Sequence, residues 1–304
     1  MKKIIALALA AMMLFSLAAC GSGDDSGDAK TYTVGICQLV QHPALDAATQ
    51  GFKDVLTEEF GDAVTFEEGN ASGDSATCAT ICNGFVSNSV DLILANATAS
   101  LQAAAAATNE IPVLGTSITE YGVALEIENF NGTVGGNVSG TSDLAPLDQQ
   151  ADMITELFPD TKTVGILYCS GEPNSVYQAN VVKECLEAKD IKVDVYTFAD
   201  SNDVSTVTAS ACAEAINAVA LPAGVPIIAG EEGICAGCGV ATLSIDYYEL
   251  GRTTGQMAVK ILKGESDISE MAIEYYPEPA KKYNADIASQ LNVTIPEGYT
   301  AIEG

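Results

Sequence analysis

Short unbroken apolar runs alternate along this chain with longer stretches in which apolar positions recur at helical spacing. Residues 32–40, YTVGICQLV, are a β-branched apolar run bounded by turn signals and predict a buried strand. HPALDAATQGFKDVLTEEF follows, with Leu45, Ala48, Phe52 and Leu56 spaced for one face of a helix. The pattern next predicts a strand near Val64–Glu67, a helix near Asp74–Val86, the strand VDLILAN, an Ala-rich helix from Ser100 to Thr108 and the strand IPVLG. From Lys162 the series restarts with strand TVGILYC, helix SVYQANVVKECLEA, strand IKVDVYTF, a helix from Asp203 and strand VPIIAG. Near-continuous apolar strands alternating with helices imply parallel sheets covered on both faces.

The restart is a repeat. TVGICQLVQHP, Thr33 to Pro43, returns as TVGILYCSGEP, Thr163 to Pro173, and Leu56 and Leu186 keep the same offset of 130. The expected fold class is therefore α/β, with two similar doubly wound parallel-sheet lobes joined by a hinge. The expected boundaries are 32–140 plus about 245–268 for the first lobe and 141–244 plus about 269–284 for the second, with 285–304 a tail packed on a lobe. Pro112 and Pro226 occupy equivalent places but differ by 114, so the second lobe is 16 residues short. Where the first lobe fits helix, strand, loop and helix, the second runs DVSTVTASACAEAINAVALPAG. That composition predicts one continuous Ala-rich helix over residues 203–220 and a second lobe lacking one βα unit.

Residues 1–19 change the picture of where the chain works. Two lysines precede an apolar run from Ile4 to Ala19, too short for a comfortable membrane span and typical of a secretory signal. The run ends in LAAC, which resembles a bacterial lipobox, so Cys20 is the expected lipidated residue of a lipid-anchored protein on the outer face of the cell membrane. A plain cleaved signal, with Cys20 an ordinary residue, is the alternative. GSGDDSGDAK then reads as a flexible tether, giving residues 20–31 as anchor and linker.

With 13 basic and 41 acidic residues, the formal net charge of −28 repels phosphate backbones and anionic lipid, which argues against nucleic acid as a partner. The acidity leans instead towards cationic or zwitterionic ligands. Arg252 is the single arginine, so an arginine clamp on an anion could form only there. His42 is the single histidine, which excludes most triads and multi-histidine metal sites. Of nine cysteines, Cys78 and Cys82 share a helix face, while Cys235 and Cys238 form CAGC in what reads as a Gly-rich loop. No spacing rule unites the two pairs into a zinc site, so no metal and no cofactor is expected. GICAGCG lacks the spacing of a dinucleotide fingerprint.

In parallel α/β lobes a ligand lies beyond the carboxyl ends of the strands, among loops and helix N-termini. QLVQHPALDAATQGF, GGNVSGTSD, TVGILYCSGEPNSVYQ, PIIAGEEG and IDYYELGRTTGQMAVKILKGE resemble, in order, the ABC-transporter substrate-binding proteins of the tryptophan/tyrosine type. The resemblance spans Thr31 to Pro296 and implies a type I periplasmic-binding-protein fold. It also implies a non-enzymatic monomer that closes on a small zwitterion, an amino acid and an aromatic one among them, and docks on an ABC permease. Members of that family carry, in the interval missing here, a strand ending in a Thr-Asp-Asn-like turn that faces the ligand. A sensor for a membrane receptor kinase, or a degenerate paralogue that no longer binds, would show the same features.

The candidate contacts each carry a structural alternative. Gln38 and His42 follow the first strand, where His42 either meets the ligand or is a turn residue. Thr98 and Ser100 either cap a helix or offer a hydroxyl to a carboxylate. Thr116 and Ser117 end the fourth strand. Ser142 and Asp143 lie in the expected crossover, where Asp143 either binds or caps. In the second lobe Ser170, Asn174 and Ser175 occupy the turn equivalent to Gln38–Leu45. Glu231, with Glu232 beside it, and Asp246 end later strands, where a carboxylate could receive an α-ammonium or simply cap the next helix. The expected division is carboxylate to the helix N-termini of the first lobe, ammonium to an acid of the second.

Overall fold

The computed structural model describes residues 30–198 and 216–302. Its first sheet has six strands in the order β10-β5-β4-β3-β1-β2, every neighbouring pair parallel. These are β1 (Tyr32–Gln38), β2 (Val64–Asn70), β3 (Leu92–Asn96), β4 (Val113–Ile118), β5 (Val138–Ser142) and β10 (Glu274–Tyr275). Side-chain alternation along β1 divides the core. Val34 and Ile36 meet Phe52 and Leu56 of α1 (Pro43–Phe60) and Met257 and Ala258 of α8 (Tyr247–Leu262). Cys37 points to the other face, against Cys78 and Cys82 of α2 (Ser75–Asn88) and Leu101 of α3 (Thr98–Ala107).

Helices α1 and α8 touch backbone to backbone. A Cβ on Gly51 would lie 2.1 Å from the Tyr248 carbonyl oxygen, and one on Gly251 would lie 1.9 Å from that of Ala48. The absence of side chains at both positions permits the approach. At the rim Arg252 donates both guanidinium arms to Glu58, at 3.1 and 3.0 Å.

The second lobe departs from a single doubly wound sheet. β6 (Thr163–Cys169) and β7 (Lys192–Phe198) pair in parallel as a two-stranded sheet of their own. β8 (Ile228–Ala229), β9 (Ala241–Ser244), β11 (Ala280–Tyr283) and β12 (Thr300–Ala301) form another, in the order β12-β11-β9-β8, with β9 and β11 antiparallel. In the first sheet β3 lies between β1 and β4. At the corresponding place between β6 and β8 no strand occurs among the described residues. Residues 216–220 are helical, as expected, while residues 203–215 of the expected helix lie outside the described residues. α5 (Leu147–Leu157) and α6 (Pro173–Glu187) cover one face of the β6–β7 pair through Ala151, Leu186, Val164 and Ile166. On its other face Leu167 and Tyr196 stand 55% and 59% exposed.

Three local expectations are corrected. The first lobe does not stop at residue 140: β5 carries residues 141 and 142, expected in the second lobe, into the first sheet. CAGC is no loop: Cys235 and Cys238 sit buried in α7 (Glu232–Cys238), a helix made possible by the Glu231 cap, which satisfies the free N–H groups of Gly233 and Ile234. Residues 274–275, expected in the second lobe, pair with β5 of the first sheet. The segment 285–304 contributes α9 (Ala285–Gln290) and β12, both packed with the second lobe. The chain thus passes between the lobes after β5, after β9 and between β10 and β11.

Candidate functional site

The carboxyl ends of β1, β3, β4 and β5 lie side by side and carry most of the first lobe's candidate residues. At β1, the Gln38 amide donates to Val40 O at 2.9 Å and Asp46 Oδ1 at 2.6 Å and accepts from Thr49 Oγ1 at 2.7 Å. Thr49 in turn accepts from the Asn96 amide at 2.9 Å. Gln38 therefore braces the start of α1. His42 is the cap of α1, its Nδ1 accepting from Ala44 N at 3.2 Å.

At β3 and β4 the expected roles divide. The cap position of α3 is Ala97, with φ at 89°, and neither Thr98 nor Ser100 caps the helix. Ser100 is fully buried, 3.6 Å from Cys78 Sγ, and faces the core rather than a ligand. Thr116 also turns inward, accepting from Thr141 and Thr254 hydroxyls at 3.4 and 3.2 Å. Ser117 sits where the β4–β5 register shifts, at φ 56°, a left-handed conformation that costs a non-glycine residue about 1 kcal/mol or more. At β5, Ser142 Oγ donates to Thr119 O at 2.8 Å and accepts from Leu144 N at 3.1 Å.

Asp143 differs from all of these. Its backbone N–H donates to Ile118 O at 3.1 Å, and its Oδ2 accepts from the Tyr247 hydroxyl at 3.1 Å. Burial raises its carboxyl above the usual range, against the opposing pull of the Tyr247 and Thr119 hydroxyls. Among the described residues, four buried side-chain polar atoms have no partner within the protein: Asn96 Oδ1, Ser117 Oγ, Asp143 Oδ1 and Thr242 Oγ1. Three of the four stand at the tips of the adjacent strands β3, β4 and β5. Buried polar atoms are ordinarily satisfied, so their clustering makes these strand tips the candidate binding surface.

The second lobe's candidates do less. Ser170 Oγ donates to Phe198 O at 3.1 Å, tying the β6 turn to β7. Ser175 Oγ donates to Glu172 Oε2 at 3.3 Å, and Asn174 stands beside it at the start of α6. Glu231 and Asp246 are helix caps: Glu231 accepts from Gly233 N at 2.8 Å and Ile234 N at 2.5 Å, and Asp246 from Glu249 N at 3.1 Å. Glu232 is paired with Lys282 at 2.5 Å and Ser244 at 3.1 Å. The short helix α4 (Tyr121–Ala124), directly after β4, packs against α6. Beside this contact opens a cavity of about 620 Å³ lined by Glu120, Glu126, Glu128, Phe130 and Tyr177. A second, of about 390 Å³, lies between Tyr177 and Val181 of α6 and Leu144, Tyr275 and Tyr276.

Two of the buried thiols are held well above their ordinary range. Burial, then neighbouring Cys238, Glu231 and Glu232, push the Cys235 thiol up to about 12. At Cys37 the contact with Cys78 pulls downward, but Cys82 and burial prevail and the value reaches about 12. A thiol held that high is a poor nucleophile.

Residues 33–302 match the family model for ABC transporter substrate binding proteins. The chain belongs to this family. A tyrosine-binding protein of Clostridioides difficile is 30% identical over 325 residues, covering 96% of this chain and 93% of the relative. A Streptococcus pneumonia ABC domain solved in complex with L-Trp is 29% identical, with a TM-score of 0.80, covering 90% of this chain and 100% of that one. The ligand-free, open structure of a Clostridium difficile substrate binding protein with adhesive properties is 32% identical, with a TM-score of 0.73, covering 90% and 99%. More distant solute binding proteins at 13 to 16% identity share the fold, which is of the type I periplasmic-binding-protein kind.

As a substrate binding protein the chain is a carrier outside the cytoplasm that serves an ABC permease, in a family defined by binding rather than catalysis. Several residues at its strand tips escape a sequence reading. Asn96 shows only as the end of an apolar strand, and Tyr121 and Tyr247 as residues at helix starts. Tyr177 shows only as an aromatic residue two places after Ser175, yet it lines both cavities.

Proposed function

We propose that this substrate binding protein captures an amino acid, aromatic ones included, between its two lobes and delivers it to an ABC importer while held at the membrane by lipidated Cys20. The observation that carries the ligand class is the row of unpartnered buried polar atoms at the tips of β3, β4 and β5, in a chain whose relatives are named for tyrosine and solved with L-Trp. Tyr177 and Tyr275, which line the cavities described above, suit an aromatic side chain. The leader and LAAC support the anchor.

The test is calorimetric screening of the twenty amino acids against the form lacking residues 1–30, which keeps the compact unit from Tyr32 onward. Saturable binding of tyrosine, tryptophan or phenylalanine is expected. Silence across the whole panel would sink the reading. It would favour a second one, suggested by the divided second sheet, in which this is a paralogue that has lost its ligand.

A further inference from the structure

We infer that the ligand's ammonium group is received by the first lobe, at Asp143 and Ser117 on the tips of β5 and β4, rather than by Glu231 or Glu232 of the second. This rests on the proposed amino-acid ligand and fixes which way round it lies.

The argument starts from where the acids are committed. Glu231 has both oxygens engaged by helix N–H groups, and Glu232 is held by Lys282 and Ser244. Each bond already accepted leaves a carboxylate fewer lone pairs for a new donor. Asp143 is less committed. One oxygen accepts from Tyr247; the other is buried and makes no hydrogen bond of good geometry within the protein, although the Thr119 hydroxyl is near enough to favour its charge. Leaving a buried carboxylate oxygen unsatisfied is costly, and burial already opposes its charge.

Register relates Ser117 to it. Ile118 of β4 pairs with Ser142 of β5, so Ser117 lies one residue before and Asp143 one residue after the same rung of the parallel ladder, and their unpartnered oxygens belong to adjacent strand tips. Ser117 holds its place in a strained left-handed conformation, as residues that meet ligands often do. Asn96 Oδ1, on the next tip, is a third unpartnered acceptor. Two of these three atoms accept hydrogen bonds and cannot donate. A ligand carboxylate would face acceptor against acceptor here, whereas an ammonium brings three N–H donors. The Tyr247 hydroxyl holds the carboxyl in place, and its burial strengthens such a contact.

The test measures L-tyrosine and its deamino analogue 3-(4-hydroxyphenyl)propanoate by calorimetry against wild type, Asp143→Asn and Ser117→Ala, each checked by circular dichroism and melting. Asp143→Asn should weaken tyrosine about 10- to 100-fold, the span of a hydrogen bond to a charged group. It should leave the analogue unchanged or bound more tightly, since a buried negative charge is gone. Ser117→Ala should weaken tyrosine by less, again sparing the analogue. If wild type binds tyrosine and both variants bind it equally well, or if Asp143→Asn loses tyrosine and analogue alike, the assignment is overturned while the amino-acid reading stands. If wild type binds neither tyrosine nor any other amino acid, that reading fails and this one with it.

Discussion

Residues at strand and helix ends in this protein do two kinds of work that look alike in sequence. His42, Asp74, Glu231 and Asp246 each close a helix start by accepting from backbone N–H groups, and any of them could have been a ligand contact. Ser100 and Thr116 read as site residues but are turned into the core by helix phase and strand alternation. What separates Asp143 and Ser117 is an oxygen without a partner, a three-dimensional property that no spacing encodes. Glycine gives the sharper residue-scale prediction. Gly251→Ala would usually gain up to about 1 kcal/mol of helix propensity. Here its Cβ would fall 1.9 Å from the Ala48 carbonyl oxygen, and overpacking against backbone costs about 1–3 kcal/mol. Overpacking wins, so the denaturant midpoint should drop with an unchanged m-value. A midpoint at or above wild type would show that α1 and α8 are not in backbone contact.

Elements were legible where apolar period and turn signals agreed. β1, α1, β3, β6 and α6 fall close to their expected positions because each has a long periodic run. The repeat was visible because both copies keep a strand, a turn and a proline, and so was the shortage between Pro112 and Pro226. How the shortage is accommodated was not legible, since strand pairing is set by distant partners. The outcome is that β6–β7 shares no ladder with β8–β9 and has helices on one face only among the described residues. A pair with an open face and few neighbours should open more readily than a six-stranded sheet. Hydrogen exchange should therefore protect the amides of Leu167 and Tyr196 less than those of Ile93 and Leu94. Equal protection would mean that this pair is as firmly held as the first sheet.

At the scale of the molecule, 41 acids face 13 bases. Eight ion pairs occur among the described residues, all partly exposed, each worth about 0–1 kcal/mol and weakened by salt. Salt also screens the repulsion among the surplus carboxylates, and with so large an excess that relief dominates. The melting temperature should climb as sodium chloride rises from about 0.01 to 0.3 M. A fall would mean that the ion pairs outweigh the surplus. The packing of α8 onto α1 also sets an order of assembly. Val34, Ile36 and Leu94 are sealed by Met257, Ala258 and Leu262, which arrive far later in the chain. A polypeptide threaded out from its N-terminus must hold that apolar face bare until Leu262 has emerged. The lobe that begins to emerge first is therefore completed only after strands β6 to β9 of the second have been delivered, and through that interval it depends on whatever keeps nascent chains from sticking.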